Sequence, residues 1–283
     1  FLHLLKKLIS SKDIIVDLWT KYPGEISNRL TSDTGCKVNQ LKKEYDVIFI
    51  NHYTMAKRVL ELDIKGIKIQ TCHGIVPDEE QPHTGMDFYI SITEEVKQHL
   101  KDKGFESTIV FNGIDCNEFK PINPINYPIK KLYSLSHNIE LNKKLESVCK
   151  LLKIEFDYND KYTNPVFNIY EKINESDVVA GIGRGCYESM ACGRPVIMID
   201  HRKYSECYSD GLLTKDNLHE VIKYNCSGRR YKLTPNINDI KKMIESITPE
   251  LSKDMRESAL EYIDMKNQAT KYIQIFNKLS TKK

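Results

Sequence analysis

The 283-residue chain has no run of about 20 apolar residues, the length a membrane-crossing helix needs. Its opening, Phe1-Leu2-His3-Leu4-Leu5-Lys6-Lys7, turns basic and amphipathic at once, unlike a secretory leader. Eight cysteines include no Cys-x-x-Cys pair and no Cys/His group at zinc-finger spacing. Neither a disulfide framework nor a zinc site is expected, and the thiols read as small hydrophobes in a reducing cytosol. No Asp-x-Asp triplet occurs, which removes a paired-carboxylate seat for Mg²⁺ or Mn²⁺, and no metal or cofactor is expected. Gly-x-Ser-x-Gly and P-loop sequences are also missing. Nor is there an excess of one charge: 42 basic against 39 acidic side chains give +3, too balanced for a nucleic-acid partner.

What is present is the profile of a packed globular chain, 40% hydrophobic and 29% charged. Short β-branched or aromatic runs alternate with helical patterns, the mark of parallel α/β architecture. The pattern predicts helices over 2–11 and 55–62 and strands over 14–19, 45–51, 67–71, 88–92 and 108–111. Thr93 caps a further helix that Gly104 stops. Three prolines in eight residues, Pro121 to Pro128, read as an inter-domain linker. Beyond them the pattern predicts strands over 131–136, 154–158, 178–181 and 195–200, helices over 139–152, 166–174 and 185–192, and mostly helix from 236 onward. The expected division is residues 1–121 as an acceptor-side Rossmann-like domain and 122–267 as a nucleotide-sugar domain, with helix 268–283 packing back on the first. Ligand would sit in a cleft between the domains, at the carboxyl ends of strands. Because the first half opens with a helix, the strand that normally feeds it is expected upstream of Phe1.

One segment carries the most chemistry: Val178-Val-Ala-Gly181-Ile-Gly183-Arg184-Gly185-Cys186-Tyr-Glu188. A strand runs through three glycines straight into a helix, whose free N–H groups and dipole favour an anion. Arg184 adds a planar, permanently charged guanidinium suited to phosphate, and Glu188 a carboxylate that could accept from ribose hydroxyls. The plain alternative is a tight turn with glycine chosen for packing.

Glu188-Ser-Met-Ala-Cys-Gly193-Arg-Pro195-Val-Ile197 resembles the Glu-Ala-Met-Ala-x-Gly-x-Pro-Val-Ile segment of retaining glycosyltransferase family 4 and its GT-B relatives. Lys68-Ile-Gln-Thr71-Cys72-His73-Gly74 and Asn112-Gly113-Ile114-Asp115-Cys-Asn-Glu-Phe119-Lys-Pro121 resemble two further segments, in the family's order. Asp87-Phe-Tyr-Ile-Ser91 and Asp210-Gly211-Leu-Leu213 fit smaller signatures. The resemblance covers about residues 44 to 216 and implies two facing Rossmann-like domains, the GT-B fold. By resemblance, Glu188 binds the donor ribose, the amides around Gly183, Gly185 and Cys186 hold diphosphate or sugar, and His73 lies near the transferred sugar. His73 and Arg184 are the candidate catalytic residues.

Two departures qualify the match. Counting eight positions back from Glu188, where the family has a first glutamate, gives Ala180. The Arg and Lys that follow the first strand of the family's second domain are replaced by Leu135-Ser136-His137-Asn138. Arg184 is the expected substitute, helped by His137, Lys143, Lys144, Arg202 or Lys203, because neutralising the leaving diphosphate is the main catalytic need without a metal. The first helix, with Lys6, Lys7 and Lys12, either packs on the sheet or meets an anionic lipid face. The expectation is a cytoplasmic retaining glycosyltransferase, working in solution or at the inner face of a membrane. It would carry a sugar from a nucleotide donor to a glycan or lipid-linked acceptor in surface glycan or glycolipid synthesis. The alternatives are a catalytically silent sugar-nucleotide-binding protein and a sugar-nucleotide epimerase or hydrolase.

Overall fold

The computed structural model describes residues 2–10, 14–159, 166–202 and 208–281. The chain is a mixed α/β protein with parallel sheets, and it divides into two compact units, residues 1–113 with 265–283, and residues 114–264.

The first unit contains α1 (Leu2–Ile9), β1 (Asp17–Leu18), α2 (Glu25–Thr34), β2 (Lys37–Val38), β3 (Glu44–Ile50), α3 (Tyr53–Glu61), β4 (Lys65–Cys72), β5 (Phe88–Ser91), α4 (Glu94–Asp102) and β6 (Ser107–Ile109). Its main sheet is parallel in the plain order β3-β4-β5-β6, and β1 pairs only with β2. The segment 14–19 therefore contributes two strand residues to a side pair, not a strand to the main sheet. Thr93 caps α4 by accepting the Val96 amide, and Gly104 follows with φ +85°.

Alternate residues of the sheet, Ile67, Ile69, Ile90 and Val110, bury against Leu4 and Leu8 of α1 and against Met265, Ala269 and Tyr272 of the last helix, Met265–Ser280. Thr71 Oγ1 and Tyr272 Oη share a hydrogen bond of 3.2 Å, which seats that helix on β4. Leu4, Leu5 and Leu8 are 3–5% exposed, so the apolar side of α1 is spent inside this unit. Of the two readings of this helix, the structure shows the one packed on the sheet. Lys6 pairs with Asp33 at 3.4 Å, and Lys12 lies outside the described residues. Gly113 leaves room for Met265: a Cβ there would stand 3.0 Å from its Cα.

The second unit contains β7 (Lys131–Ser134), α5 (Ile139–Leu152), β8 (Glu155–Tyr158), α6 (Ile169–Asn174), β9 (Val178–Gly181), α7 (Arg184–Ala191), β10 (Val196–Asp200), β11 (Tyr208–Leu212), α8 (Lys215–Val221), α9 (Ile237–Glu245) and α10 (Pro249–Ser258). Strand order is β11-β10-β9-β7-β8, parallel except for β11, which runs against β10. The chain moves outward from β7 to β8, then returns to the other side of β7 with β9. A parallel sheet that reverses direction in this way leaves a crevice at the carboxyl ends of the two strands where it reverses. Here those strands are β7 and β9.

The unit boundary falls at 113/114 and not at 121/122, and three side chains explain why. Arg256 donates to the carbonyls of Cys116, Phe119 and Ala191 and ties residues 114–119 to α7 and α10. Asn174 accepts the Ile122 amide at 2.9 Å and donates to the Lys120 carbonyl at 3.0 Å. Asp177, 3% exposed, accepts the amides of Asn126, Lys130 and Lys131. The proline-rich stretch is thus a strap on the second unit rather than a free linker. The second boundary, 264/265, assigns the whole last helix to the first unit.

Candidate functional site

β9 ends in Gly181, and Gly183 opens α7 with φ +58° and ψ −126°, a conformation essentially confined to glycine. The glycines also answer to packing. A Cβ on Gly185 would stand 2.6 Å from Leu135 Cδ1, and one on Gly181 would stand 3.2 Å from Leu135 Cβ. Leu135, the first residue past β7, therefore lies across the crevice against both glycines. Its amide donates to the Ala180 carbonyl at 2.9 Å and keeps β7 and β9 together to that point.

The amides expected to hold a diphosphate divide into two kinds. Gly183 N–H is spent on the Cys226 carbonyl at 3.2 Å, so it is not offered to a ligand. The amides of Arg184, Gly185 and Cys186 form the first turn of α7 and have no acceptor within the helix. The Cys186 thiol is fully buried; a hydrogen bond with Cys226 and then burial hold it well above its ordinary pKa, so only its backbone can serve a ligand.

Arg184 Nε donates to Glu188 Oε1 at 2.7 Å, one turn along α7. Glu188 is 8% exposed; burial pushes its carboxyl pKa up, against the pull of Arg184. Arg184, expected at the diphosphate from its chemistry, and Glu188, expected at the ribose by resemblance, are thus each other's partners here. Ala180, 1% exposed, sits in the core cluster with Leu132, Val178 and Ile197. A carboxylate at that position would be buried among apolar side chains, which costs several kcal/mol unless it is paired.

The other expected cations are placed apart from one another. Lys143 is exposed and pairs with Glu140 at 3.1 Å, while Lys144 donates to the Pro235 carbonyl. Arg202 Nε donates to Asp200 Oδ2 at 3.3 Å, at the carboxyl end of β10. Asp200 Oδ1 in turn accepts from Ser136 Oγ, which bridges the ends of β10 and β7. His137 is exposed in the turn between β7 and α5. Lys203 lies outside the described residues.

Sequence reasoning missed the segment that leans on the glycine turn. Asn225 has φ +58°, and its Nδ2 would stand 3.3 Å from a Cβ on Gly183. Buried Asp210 fixes the next turn by accepting the amides of Gly228 at 2.8 Å and Tyr231 at 2.7 Å. Asn225 is a residue type that tolerates positive φ, but nothing local to residues 222–231 says that they fold back onto residue 183.

In the first unit, His73 follows β4 at its carboxyl end. His73 Nε2 lies 3.1 Å from Oδ1 of Asn51, which follows β3. Burial, the dominant cause, lowers the imidazole pKa to about 4, so the ring is neutral at physiological pH. The loop after it is tied down by Gln70, which donates to the Gln81 carbonyl at 2.9 Å and accepts the His83 amide at 2.8 Å. Glu80, from that loop, packs its carboxylate against Gly74. No group of three or more His, Cys, Asp and Glu among the described residues could hold a metal ion, and no described helix is long and apolar enough to cross a membrane.

No family model matches the chain, and no curated protein matches it. A solved structure similar to it is the Glycosylation Associate Protein (Gap123) complex from Streptococcus agalactiae, with 13% sequence identity and a TM-score of 0.36 over 80% of this chain and 55% of that one. The chain thus spans about half the length of that neighbour. Likeness at this level assigns no function.

Proposed function

We propose that the second unit binds a nucleotide sugar at the β7/β9 crevice, and that the chain is a metal-independent glycosyltransferase of the GT-B class. It would pass the sugar to an acceptor hydroxyl with retention of configuration. The observation that carries the reading is the coincidence of the glycine turn with the point where strand order reverses. The first-turn amides of α7 and the Arg184 guanidinium would meet the paired phosphates, and Glu188 a ribose hydroxyl. Arg184 would have to leave or share Glu188 on binding. That exchange is chemically reasonable, since a diphosphate offers more negative charge than one carboxylate. Arg184 would then stabilise the leaving nucleoside diphosphate, the role a metal ion fills in carboxylate-based designs. The acceptor class, a growing glycan or lipid-linked sugar on the cytoplasmic side, follows from the sequence resemblance.

A second reading has its own support: a sugar-nucleotide-binding protein without turnover. Arg184 is paired, the Gly183 amide is occupied, and Lys143 and Lys144 are engaged elsewhere. Calorimetric titration with a panel of nucleotide sugars, followed by transfer assays with simple glycoside acceptors, separates the readings. Binding with transfer supports the enzyme; binding without transfer across the panel supports the silent form. Binding that neither Arg184→Ala nor Glu188→Ala alters would remove the site from both.

A further inference from the structure

Three strand ends stand side by side in the second unit: Ser134 of β7 pairs with Ala180 of β9, and Ala180 with Ile197 of β10. Just beyond them, Ser136 Oγ donates to Oδ1 of Asp200, the last residue of β10, at 2.5 Å. Because β9 lies between β7 and β10, this bond spans the end of β9, where the chain enters the glycine turn. Backbone amides fix both groups: Ser136 Oγ accepts from Asn138 at 3.1 Å, and Asp200 Oδ1 from His201 at 2.8 Å. Two donors thus fill Oδ1. Among the described residues Oδ2 accepts from Arg202 Nε alone, at 3.3 Å, and a carboxylate oxygen has room for two donors. The Asp200 side chain keeps 16% of its surface accessible, so the fold does not seal it off.

We propose that Asp200, held in place by Ser136, accepts a hydrogen bond from a hydroxyl of the sugar on a bound nucleotide sugar, and so helps to set which sugar the crevice takes. A carboxylate repels phosphate and accepts from hydroxyls, so within a nucleotide sugar only the hydroxyl-bearing parts suit it. Glu188 serves the ribose in the function proposed above, which leaves the sugar for Asp200. The ligand class is therefore a nucleotide carrying a neutral, hydroxyl-bearing sugar. That class rests on the function proposed above; the unfilled acceptor on Asp200 rests only on the geometry.

The test is calorimetric titration of the full chain with UDP-glucose, UDP-N-acetylglucosamine and GDP-mannose, each beside its free nucleoside diphosphate. The readout is the ratio of the two dissociation constants, sugar-bearing over free, which a change common to both ligands leaves fixed. Asp200→Asn keeps Oδ1 as an acceptor for Ser136 and His201 and replaces Oδ2 with an amide donor. It should raise that ratio by roughly 10–100-fold for at least one sugar. Ser136→Ala leaves the carboxylate present but untethered, and should raise the same ratio by roughly 2–10-fold. A purely structural role for the pair would weaken both ligands together or neither. A ratio that Asp200→Asn leaves unchanged overturns the proposal; where that variant binds neither ligand, an unchanged ratio in Ser136→Ala does. A wild type that binds no nucleoside diphosphate removes the function proposed above and this inference with it, whereas diphosphate binding with an unmoved ratio removes this inference alone.

Discussion

The two units end their parallel sheets differently. In the second, the carboxyl ends of β7, β9 and β10 carry charge matched to charge: Arg184 with Glu188, and Arg202 with Asp200. In the first, the ends of β3 and β4 carry a neutral pair, Asn51 and His73. The contrast lies in the chemistry of the strand ends: ion pairs in one unit and a neutral hydrogen-bonded pair in the other. The buried partner in the first pair is the carboxylate of Glu188, which Arg184 keeps compensated. A neutral end needs only a fixed hydrogen-bond direction.

The widest separation should appear in nucleotide affinity. Arg184→Ala is expected to weaken nucleoside diphosphate binding by roughly 10–100-fold, the value of one or two charge-assisted hydrogen bonds. His73→Gln should leave that affinity unchanged. Calorimetry with uridine, guanosine and adenosine diphosphates reads both, and equal losses in the two variants would erase the distinction.

Stability against pH should separate the ends by sign. His73 is depressed to about 4 in the fold against 6.5 for the free side chain. The unfolded chain then binds the proton more readily, so this stability is complete above about pH 6.5 and lost as pH falls toward 4, by at most roughly 3 kcal/mol. Glu188 is raised in the fold, so its contribution is present at low pH and lost as pH rises through the folded value. Urea titrations across pH should lose the first slope in His73→Gln and the second in Glu188→Gln.

Two smaller effects sharpen the picture. Gly183→Ala should destabilise by about 1–3 kcal/mol, because its backbone conformation excludes a side chain and Asn225 blocks the Cβ. Gly104→Ala, at φ +85° with nothing within 4 Å, should cost less, about 1 kcal/mol. Lys143→Ala removes an exposed ion pair, so it should change neither nucleotide affinity nor stability by more than about 0.5 kcal/mol.

Much of the second unit was legible in the sequence because its apolar runs are short, continuous and well punctuated. The expected helix 139–152 and strand 178–181 coincide with α5 and β9. Strand β11 was not expected, since Tyr-Ser-Asp-Gly-Leu reads locally as a turn; its Asp210 faces inward to hold backbone amides of a later loop. The helices α2 and α8 were missed as well, both being short and largely polar. The proline strap read as a linker because what binds it, Asn174, Asp177 and Arg256, lies 50 or more residues away. For the site, glycines and Arg184 were visible as a motif. The Arg184–Glu188 pairing, one turn apart on a single helix, was missed because the expected helix began at 185 and left Arg184 outside it. The Cys226 carbonyl on Gly183 and the Asn51–His73 bond were missed because they depend on where the fold brings distant residues.

The account rests most directly on where phosphate meets the chain, and backbone amide NMR during titration with a nucleoside diphosphate measures that. The amides of Arg184, Gly185 and Cys186 should shift first and saturably, and Arg184→Ala should move the midpoint of that shift to roughly 10–100-fold higher ligand. Saturable binding that leaves those three amides unmoved would contradict it.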